Sequence, residues 1–462
     1  MADLQRTTIW REVNKIISDG VKQVNHRWEC YIHANGKMLK ALYVNGVSQS
    51  CRYTERFTDR LSIVASIGEG VYQHDIVPYM KNLEVTIVKK PLAESIVANE
   101  INSTIETFRY RAFLMDPSSQ LLESGIPKAE SKDTLDRIKI RTFEVQLISK
   151  NVEHLRLKYI GGIYRDVTGI NLVRQLLTIH SQEVADDSRA MITGVTIGPN
   201  PSEVKKRQII IPDGTPLISG KNSAMHIINR MAGGIFMHGF KYYHSGNQWY
   251  VFAPFDTTPF ESAQKSLTVI NVPNNRLTNI ERTFRETSSQ LIVLATSGVK
   301  SMDVSNEAQL NQGNGARFID SKQVLNGIAD VDLESDTAKI NGKAAINEFI
   351  LNEREDGLNN VNVAGSKLTS GYYIEYAELT RRNGGMIQFV WENAKPGIIY
   401  PGMPAKYIYL VGDIPFEIFG SVVAVDYVDN PTTKTPTEQR FSTSAAVTLF
   451  VASKIPKELK NQ

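Results

Sequence analysis

The strongest constraint on the fold is a two-residue alternation that recurs along the chain. In KNLEVTIVKK, Lys81–Lys90, residues Leu83, Val85 and Ile87 share one face of an extended segment, and Glu84, Thr86 and Val88 share the other. Strand side chains point alternately to opposite faces, so such a segment buries one face and offers the second to water or a neighbour. FRYRAFLMDP and IKIRTFEVQLIS read the same way. So does the C-terminal block, from GMIQFVWENA through PAKYIYLVGDIPFEIFGSVVAVDYV to RFSTSAAVTLFVAS. Turn residues punctuate these runs: Asn35-Gly36, Pro401-Gly402, Gly412-Asp413 and the polar stretch Asp429–Gln439. The spacing predicts a mainly β protein with added helices, an α+β chain with room for a barrel in each half.

Helical periodicity interrupts the strands at four places. Ile9, Val13, Ile16 and Ile17 form an N-terminal stripe that ends by Gly20. Leu92, Ile96, Ile101 and Ile105 form a second. In DVTGINLVRQLLTIHSQ, Thr168 is placed to cap a helix whose stripe is Ile170, Val173, Leu176 and Leu177. In NSAMHIINRMAGG, Asn222 or Ser223 caps and Gly233 or Gly234 stops. The 462 residues exceed one small core and suggest two to four domains. The expected division is a helix over 1–25, a β-rich domain over 26–165, a middle domain over 166–260, and a last β domain over 261–305 and 385–455. A polar insertion, 306–384, separates the two parts of the last domain.

Charge and cysteine content exclude several classes. Fifty-two basic and 49 acidic residues leave a net charge of +3, with no run of five like charges, so no polyanion partner is advertised. Cys30 and Cys51 fall in strand segments and read as buried thiols of a reducing compartment. The N-terminus lacks the apolar core of a signal peptide, and no apolar run approaches the ~18 residues of a membrane span.

Candidate chemistry concentrates in GGIFMHGFKYYHSGNQWYVFAP, Gly233–Pro254. Gly234 and Gly239 have the separation of a phosphate loop. Phe240 follows instead of Lys, however, and the helix precedes the strand, presenting its negative end. His226, His238 and His244 lack a carboxylate or cysteine at ligand spacing. The aromatics alternate instead: Phe240 and Tyr242 share a face, as do Trp249 and Val251, with Tyr250 and Phe252 opposite. FKYYH and QWYVF therefore read as a hairpin around Ser245–Asn247, with Phe240, Tyr242, Trp249 and Val251 as the core of the middle domain. No G-x-S-x-G is present, and the acidic spots Asp186–Ser188 and Glu353–Gly357 read as solvated turns. No cofactor or metal is expected, and no enzyme activity.

The order of the pieces resembles a known family. A β-rich first domain precedes TGINLVRQLL; AMHIINRMAGGIFMHGFKYYHSGNQWYVFAP follows; the chain closes with YPGMPAKYIYLVGDIPFEIFGSVVAVDYV and RFSTSAAVTLFV. This is similar to the central baseplate hub proteins of contractile-tailed bacteriophages and to the hub half of type VI secretion spike proteins. It touches residues of about 80–275 and 385–452, with Pro401, Gly402, Phe441 and Thr443 where the pattern places them. The polar stretch Asn306–Gly371 is a departure.

The resemblance implies two tube-type β-barrels per subunit and a homotrimeric, pseudo-hexameric ring. That ring would adapt a six-fold tail tube to a three-fold spike and pass DNA during ejection. Implied partners are further copies of the chain, a tail spike protein, tail tube or tape-measure proteins, and baseplate wedge proteins. No stable sequence-specific nucleic-acid binding is implied. The implied location is the virion baseplate, after synthesis in the host bacterial cytoplasm. Strands Leu83–Lys89, Ile387–Trp391 and Ser442–Phe450 become expected interface or lumen strands, through Glu84, Thr86, Val88, Gln388, Val390, Thr443, Ala445 and Val447. Rival readings are another tail structural protein, such as a tube or tube terminator, a cell-wall-degrading tail enzyme, and a nucleic-acid-binding module.

Overall fold

The structure, a computed structural model, describes residues 2–18, 25–92, 106–115, 140–183, 194–197, 206–219, 223–231, 240–245, 248–254, 260, 263–272, 283–303, 316–319, 348–351, 385–411, 414–432, 439–451 and 457–458. It is mainly β with a few helices. Helix α1 (Ala2–Ser18) leads into β1 (His26–Ala34), β2 (Lys37–Lys40), β3 (Tyr43–Arg52), β4 (Arg60–Gly68), β5 (Glu84–Pro91), β6 (Glu106–Leu114) and β7 (Ile140–Ile148). Then come α2 (Lys150–Leu157), β8 (Tyr159–Val167), α3 (Gly169–Gln182), β9 (Gly194–Ile197), β10 (Arg207–Pro216), α4 (Ala224–Met231), β11 (Lys241–Ser245) and β12 (Gln248–Phe252). The remaining strands are β13 (Ser266–Asn271), β14 (Phe284–Glu286), β15 (Gln290–Asp303), β16 (Ala316–Ile319), β17 (Glu348–Leu351), β18 (Gly385–Trp391), β19 (Pro404–Val411), β20 (Ile414–Pro431), β21 (Phe441–Val451) and β22 (Lys457–Glu458).

The largest sheet closes on itself twice. One ring runs β20–β3–β4–β7–β6–β5–β1–β21 and returns to β20; the other runs β20–β19–β13–β15–β18–β21 and also returns to β20. Closure satisfies the backbone groups that an open sheet would leave at its edges. The alternation is what makes it possible, because every second residue must fill the interior. Ile32, Ile63, Val85, Ile87, Phe143 and Leu147 fill the first barrel. Leu267, Val293, Phe389, Trp391, Val425 and Val447 fill the second. At the β1–β2 turn, Asn35 and Gly36 take φ of 49° and 73°, the positive values that a two-residue hairpin needs.

Alternation fails where both faces are covered. β13 is buried at five successive positions, Ser266–Ile270, because α1 lies across its outer side. Val13 and Ile16 of α1 pack on Ile270, Ile292, Leu294 and Ile408, the outer face of the second barrel. The N-terminal helix thus belongs structurally to the C-terminal barrel.

The middle unit joins α2, α3 and α4 to the β8–β10 ribbon and the three-stranded sheet β11–β12–β9. Thr168 Oγ1 accepts the Asn171 N–H at 3.3 Å and caps α3. Ser223 Oγ accepts the His226 N–H at 3.2 Å and does the same for α4. Several sequence expectations lie outside the described residues: the helix over Ile96–Ile105, the stops at Gly20, Gly233 and Gly234, the turn at Gly412-Asp413, and most of 306–384.

Candidate functional site

The feature that organises the molecule is the strand pair held in common. β20 pairs β19 from Pro404↔Ser421 to Val411↔Ile414, and pairs β3 from Ala424↔Arg52 to Asp429↔Val47. β21 follows β20 from Gly420↔Val451 to Pro431↔Phe441, with a register shift between Val422 and Ala424, where β20 passes from one barrel to the other. Gly420 sits just before that point. A Cβ there would collide with the Phe450 carbonyl, so the close approach of β20 and β21 requires glycine.

The outward sides of β18, β21, β20, β3, β4 and β7 form one surface across both barrels. Cross-strand partners trace a row over it: Ser444 beside Val428, Val428 beside Ser48, Ser48 beside Ser62, and Ser62 beside Gln146. Gln388 and Thr448 are neighbours in a second row. Most of the side chains are short and uncharged, and Arg60, opposite Ser50, is an exposed cation on the same face. Arg52 and Asp426 neutralise each other at 2.7 Å, and Glu144 accepts from Ser62.

The first barrel is sealed by side chains more than by backbone. Among the described residues, β1 meets β21 at a single residue pair, His26↔Phe441. Beside it, buried Asp429 accepts from Trp28 Nε1 at 2.6 Å and from Thr443 Oγ1 at 2.5 Å, and His26 Nε2 lies 3.2 Å away. Burial raises the Asp429 pKa, but the hydrogen bonds and charge of His26, with Lys89 and Thr443, outweigh it and hold the carboxyl below its ordinary range.

The aromatic hairpin turns out to be a weld with two working faces. Phe240, Tyr242, Trp249 and Val251 pack into the middle unit, where Tyr242 also hydrogen-bonds Ser223 at 2.9 Å. Tyr243 and Phe252 belong to the core of the second barrel, with Tyr250 packed against it. Asp59, from the loop after β3, ties the first barrel in. It accepts from Tyr243 at 2.7 Å, Ser245 at 3.0 Å and Gln49 at 2.9 Å. Burial raises its pKa, and those hydrogen bonds offset part of the rise. His244 is buried against Trp249, ring centroids 5.1 Å apart, and burial lowers its pKa to about 4. It packs as a neutral side chain. His226 is half-buried on α4, and His238, Gly234, Gly239, Asp186–Ser188 and Glu353–Gly357 lie outside the described residues. Among the described residues no group of three His, Cys, Asp or Glu is placed to hold a metal ion. Cys30 and Cys51 are buried free thiols; burial pushes Cys30 to about 12.

The expected interface residues divide by face. Glu84 is half-buried in ion pairs with Arg109 and Lys150. Thr86 is buried and meets His33 Nε2 at 2.8 Å. Val88, Gln388 and Val390 are partly exposed on outward positions. Thr443 faces Asp429, while Ala445 and Val447 lie in the second-barrel core. On β21 the outward residues are instead Ser442, Ser444, Ala446 and Thr448. Small residues on both faces over Ser442–Ala446 blur the alternation, and the larger Phe441, Val447 and Leu449 mark the inward face. Ser48 and Ser62 carried no signal, since their place depends on a register between distant strands.

No family model matches the chain, and no curated protein matches its sequence. Among solved structures, it is similar to the 43 kDa tail protein of prophage MuSo2 from Shewanella oneidensis, with TM-score 0.41 and 11% identity over 91% of this chain and 98% of that one. It is also similar to a chain of the Francisella PdpA–VgrG complex, with TM-score 0.33 and 10% identity over 100% of this chain and 64% of that one. A third is a chain of the P2 virion baseplate in its activated conformation, with TM-score 0.30 and 9% identity over 93% and 100%. These are tail and baseplate proteins and a VgrG complex, the classes named by the sequence resemblance. At such scores the likeness carries no weight for function.

Proposed function

We propose that the chain is a non-catalytic structural protein of a contractile phage-type tail: a central baseplate hub, three copies of which form a ring of six barrels. The observation that carries this reading is the pair of closed barrels fused through β20 and β21 in one chain. Three such chains present six similar lobes upward while keeping three-fold symmetry below. That is what a junction between a six-fold tube and a three-fold spike requires. The order of sequence elements supports the same reading, and the division into 1–25, 26–165, 166–260, 261–305 with 385–455, and 306–384 is proposed with it.

The surface shared by both barrels is the one suited to a central channel. Cationic side chains would hold a passing polyanion by releasing its counterions, phosphate by phosphate. The row Ser444, Val428, Ser48, Ser62 and Gln146 offers no such charge, so DNA would slide past it. The partners on this reading are other copies of the chain, a spike protein, tube or tape-measure proteins and wedge proteins, within a virion baseplate.

The test is the absolute mass by light scattering with negative-stain images of the same sample, with and without co-expressed tail partners. The expected particle has three times the 51.7 kDa chain mass and six lobes around a hole. A six-chain ring would instead make it a tube or terminator protein. A chain that stays single under both conditions would overturn the proposal.

A further inference from the structure

Residues 53–59, between β3 and β4, are the first barrel's hold on the middle unit. Phe57 stacks on Tyr242 of β11 with ring centroids 5.2 Å apart, and the Arg156 guanidinium of α2 lies 5.6 Å from the Phe57 ring. The Phe57 carbonyl accepts the His244 N–H at 2.7 Å, and Thr58 forms an isolated β-bridge with His244. Tyr53 meets the Tyr243 ring edge-on at 4.9 Å. At the end of the segment, Asp59 accepts from the side chains of Tyr243, Ser245 and Gln49, and from the Cys51 thiol.

All four donors are neutral. Among the described residues Asp59 has no ion pair: Arg52 is held by Asp426, and Arg56, Arg60 and the exposed Glu55 make none with it. The other titratable groups around it are the hydroxyls of Tyr53, of Tyr250 on β12 and of Tyr427 on β20, and Asp426 stands near Cys51 as a second anion. The donors favour an ionised carboxylate, whereas burial without a cation opposes it. A proton removes the uncompensated charge, and the Ser245 or Tyr243 hydroxyl can turn to accept it. Burial wins, holding the Asp59 carboxyl above its ordinary 3.8. Docking therefore takes up a proton. Its contribution is complete below 3.8 and is lost as pH rises through the docked value.

We propose that residues 53–59 are a pH-sensitive latch, gripping the middle unit when Asp59 carries a proton and loosening when Asp59 is ionised. The latch is a property of the single chain and holds whether or not a ring forms. Hydrogen exchange of the full-length chain, corrected at each pH for the intrinsic exchange rate, reads it at the His244 amide, which bonds across the junction. Protection there is expected to fall as pH rises through the Asp59 titration, by at most about tenfold per pH unit for one linked proton. The Ile63 amide, on β4 in the first barrel, is expected to stay constant over the same range. His244 titrates in the opposite sense, losing protection as pH falls below 6.5. Asp59→Asn is expected to abolish the Asp59 limb and keep the His244 limb. Tyr243→Phe keeps the ring in its core and removes the shortest donor to Asp59, so the Asp59 limb should move to higher pH.

An Asp59 limb that persists in Asp59→Asn overturns the inference. So does a limb that stays in place or moves to lower pH in Tyr243→Phe, which decides the matter by itself where Asp59→Asn does not fold. Ile63 protection falling in step with that of His244 would also overturn it, by making the transition global rather than local to the junction.

Discussion

Removing the Asp429 carboxylate tests the claim that the first barrel is closed by side chains. Asp429 is 7% exposed, and its partners Trp28, His26 and Thr443 are 8%, 3% and 4% exposed. In Asp429→Ala these groups lose their shared acceptor in a place water barely reaches. Breaking a buried charged network by deleting one member costs about 3–5 kcal/mol. Among the described residues one backbone pair, His26↔Phe441, remains between β1 and β21. Each ~1.4 kcal/mol is tenfold in an equilibrium, so local opening at this seam should rise roughly a hundred- to a few-thousand-fold. Hydrogen exchange at pH 7 reads this at the β1 amides. Asp426→Ala is the control, because its pair with Arg52 is part-exposed and such pairs contribute about 0–1 kcal/mol. Wild-type exchange along β1 in Asp429→Ala, or equal effects of the two variants, would refute a side-chain seam. The pH dependence has a definite sign. A carboxyl whose folded pKa lies below its unfolded value of 3.8 stabilises the fold above that value, and the contribution is lost as pH falls through the folded pKa. Asp429→Asn should therefore show a shallower rise of β1 exchange below pH 3.8 than the parent chain.

Four further outcomes are expected. Trp249→Ala, at a fully buried position in the middle unit, should cost about 3–5 kcal/mol in urea unfolding monitored through that unit. Loss of under 1 kcal/mol would show the hairpin is not a core element. His244 is buried neutral with a pKa of about 4, so protonation favours the unfolded chain between that value and 6.5. Stability should decline by up to about 3 kcal/mol as pH falls across this window, and His244→Leu should flatten the decline. Gly420→Ala should force β20 from β21 and lower the yield of folded protein, whereas Gly70→Ala, with open space around it, should not. Ser48→Lys with Ser62→Lys should create DNA binding that weakens steeply with salt while particle mass stays unchanged; a variant that ignores DNA would contradict the channel assignment.

The fold was legible wherever a local signal decided the outcome. Asn35-Gly36 specifies its hairpin because both residues tolerate positive φ, and Thr168 specifies a helix start because its hydroxyl replaces a missing acceptor. The faces of the aromatic hairpin were readable from alternation alone, with Trp249 and Val251 opposite Tyr250 and Phe252. What each face would meet was not readable. Tyr243 reaches Asp59 across 184 positions of sequence, and no short-range pattern marks such a pair. β21 failed for a different reason. Thr443 and Ala445 resemble their neighbours Ser444 and Ala446, so the middle of the strand is ambiguous by itself, and its inward face is marked only by Phe441, Val447 and Leu449 at either end. Likewise α1 announced an apolar stripe but not its target, which lies some 250 residues on, at Ile270 and Ile292.

The sharing of β20 and β21 bears on function through stiffness. Two barrels joined by a linker can rotate about it, and their relative angle is then set by whatever they bind. Here the hydrogen bonds from β19 through β20 to β3 are continuous, and β21 braces the crossing from Phe441 to Val451. Rotating one barrel against the other would break that ladder, and the Gly420 contact leaves no room to slide. The hairpin adds a second brace, with Tyr243 and Phe252 in one core and Trp249 in another. The angle between barrels is therefore built into the monomer before any partner arrives. In the ring proposed above, the relative placement of the two barrels would come from the covalent chain, and only the contact between neighbouring chains would remain to be chosen.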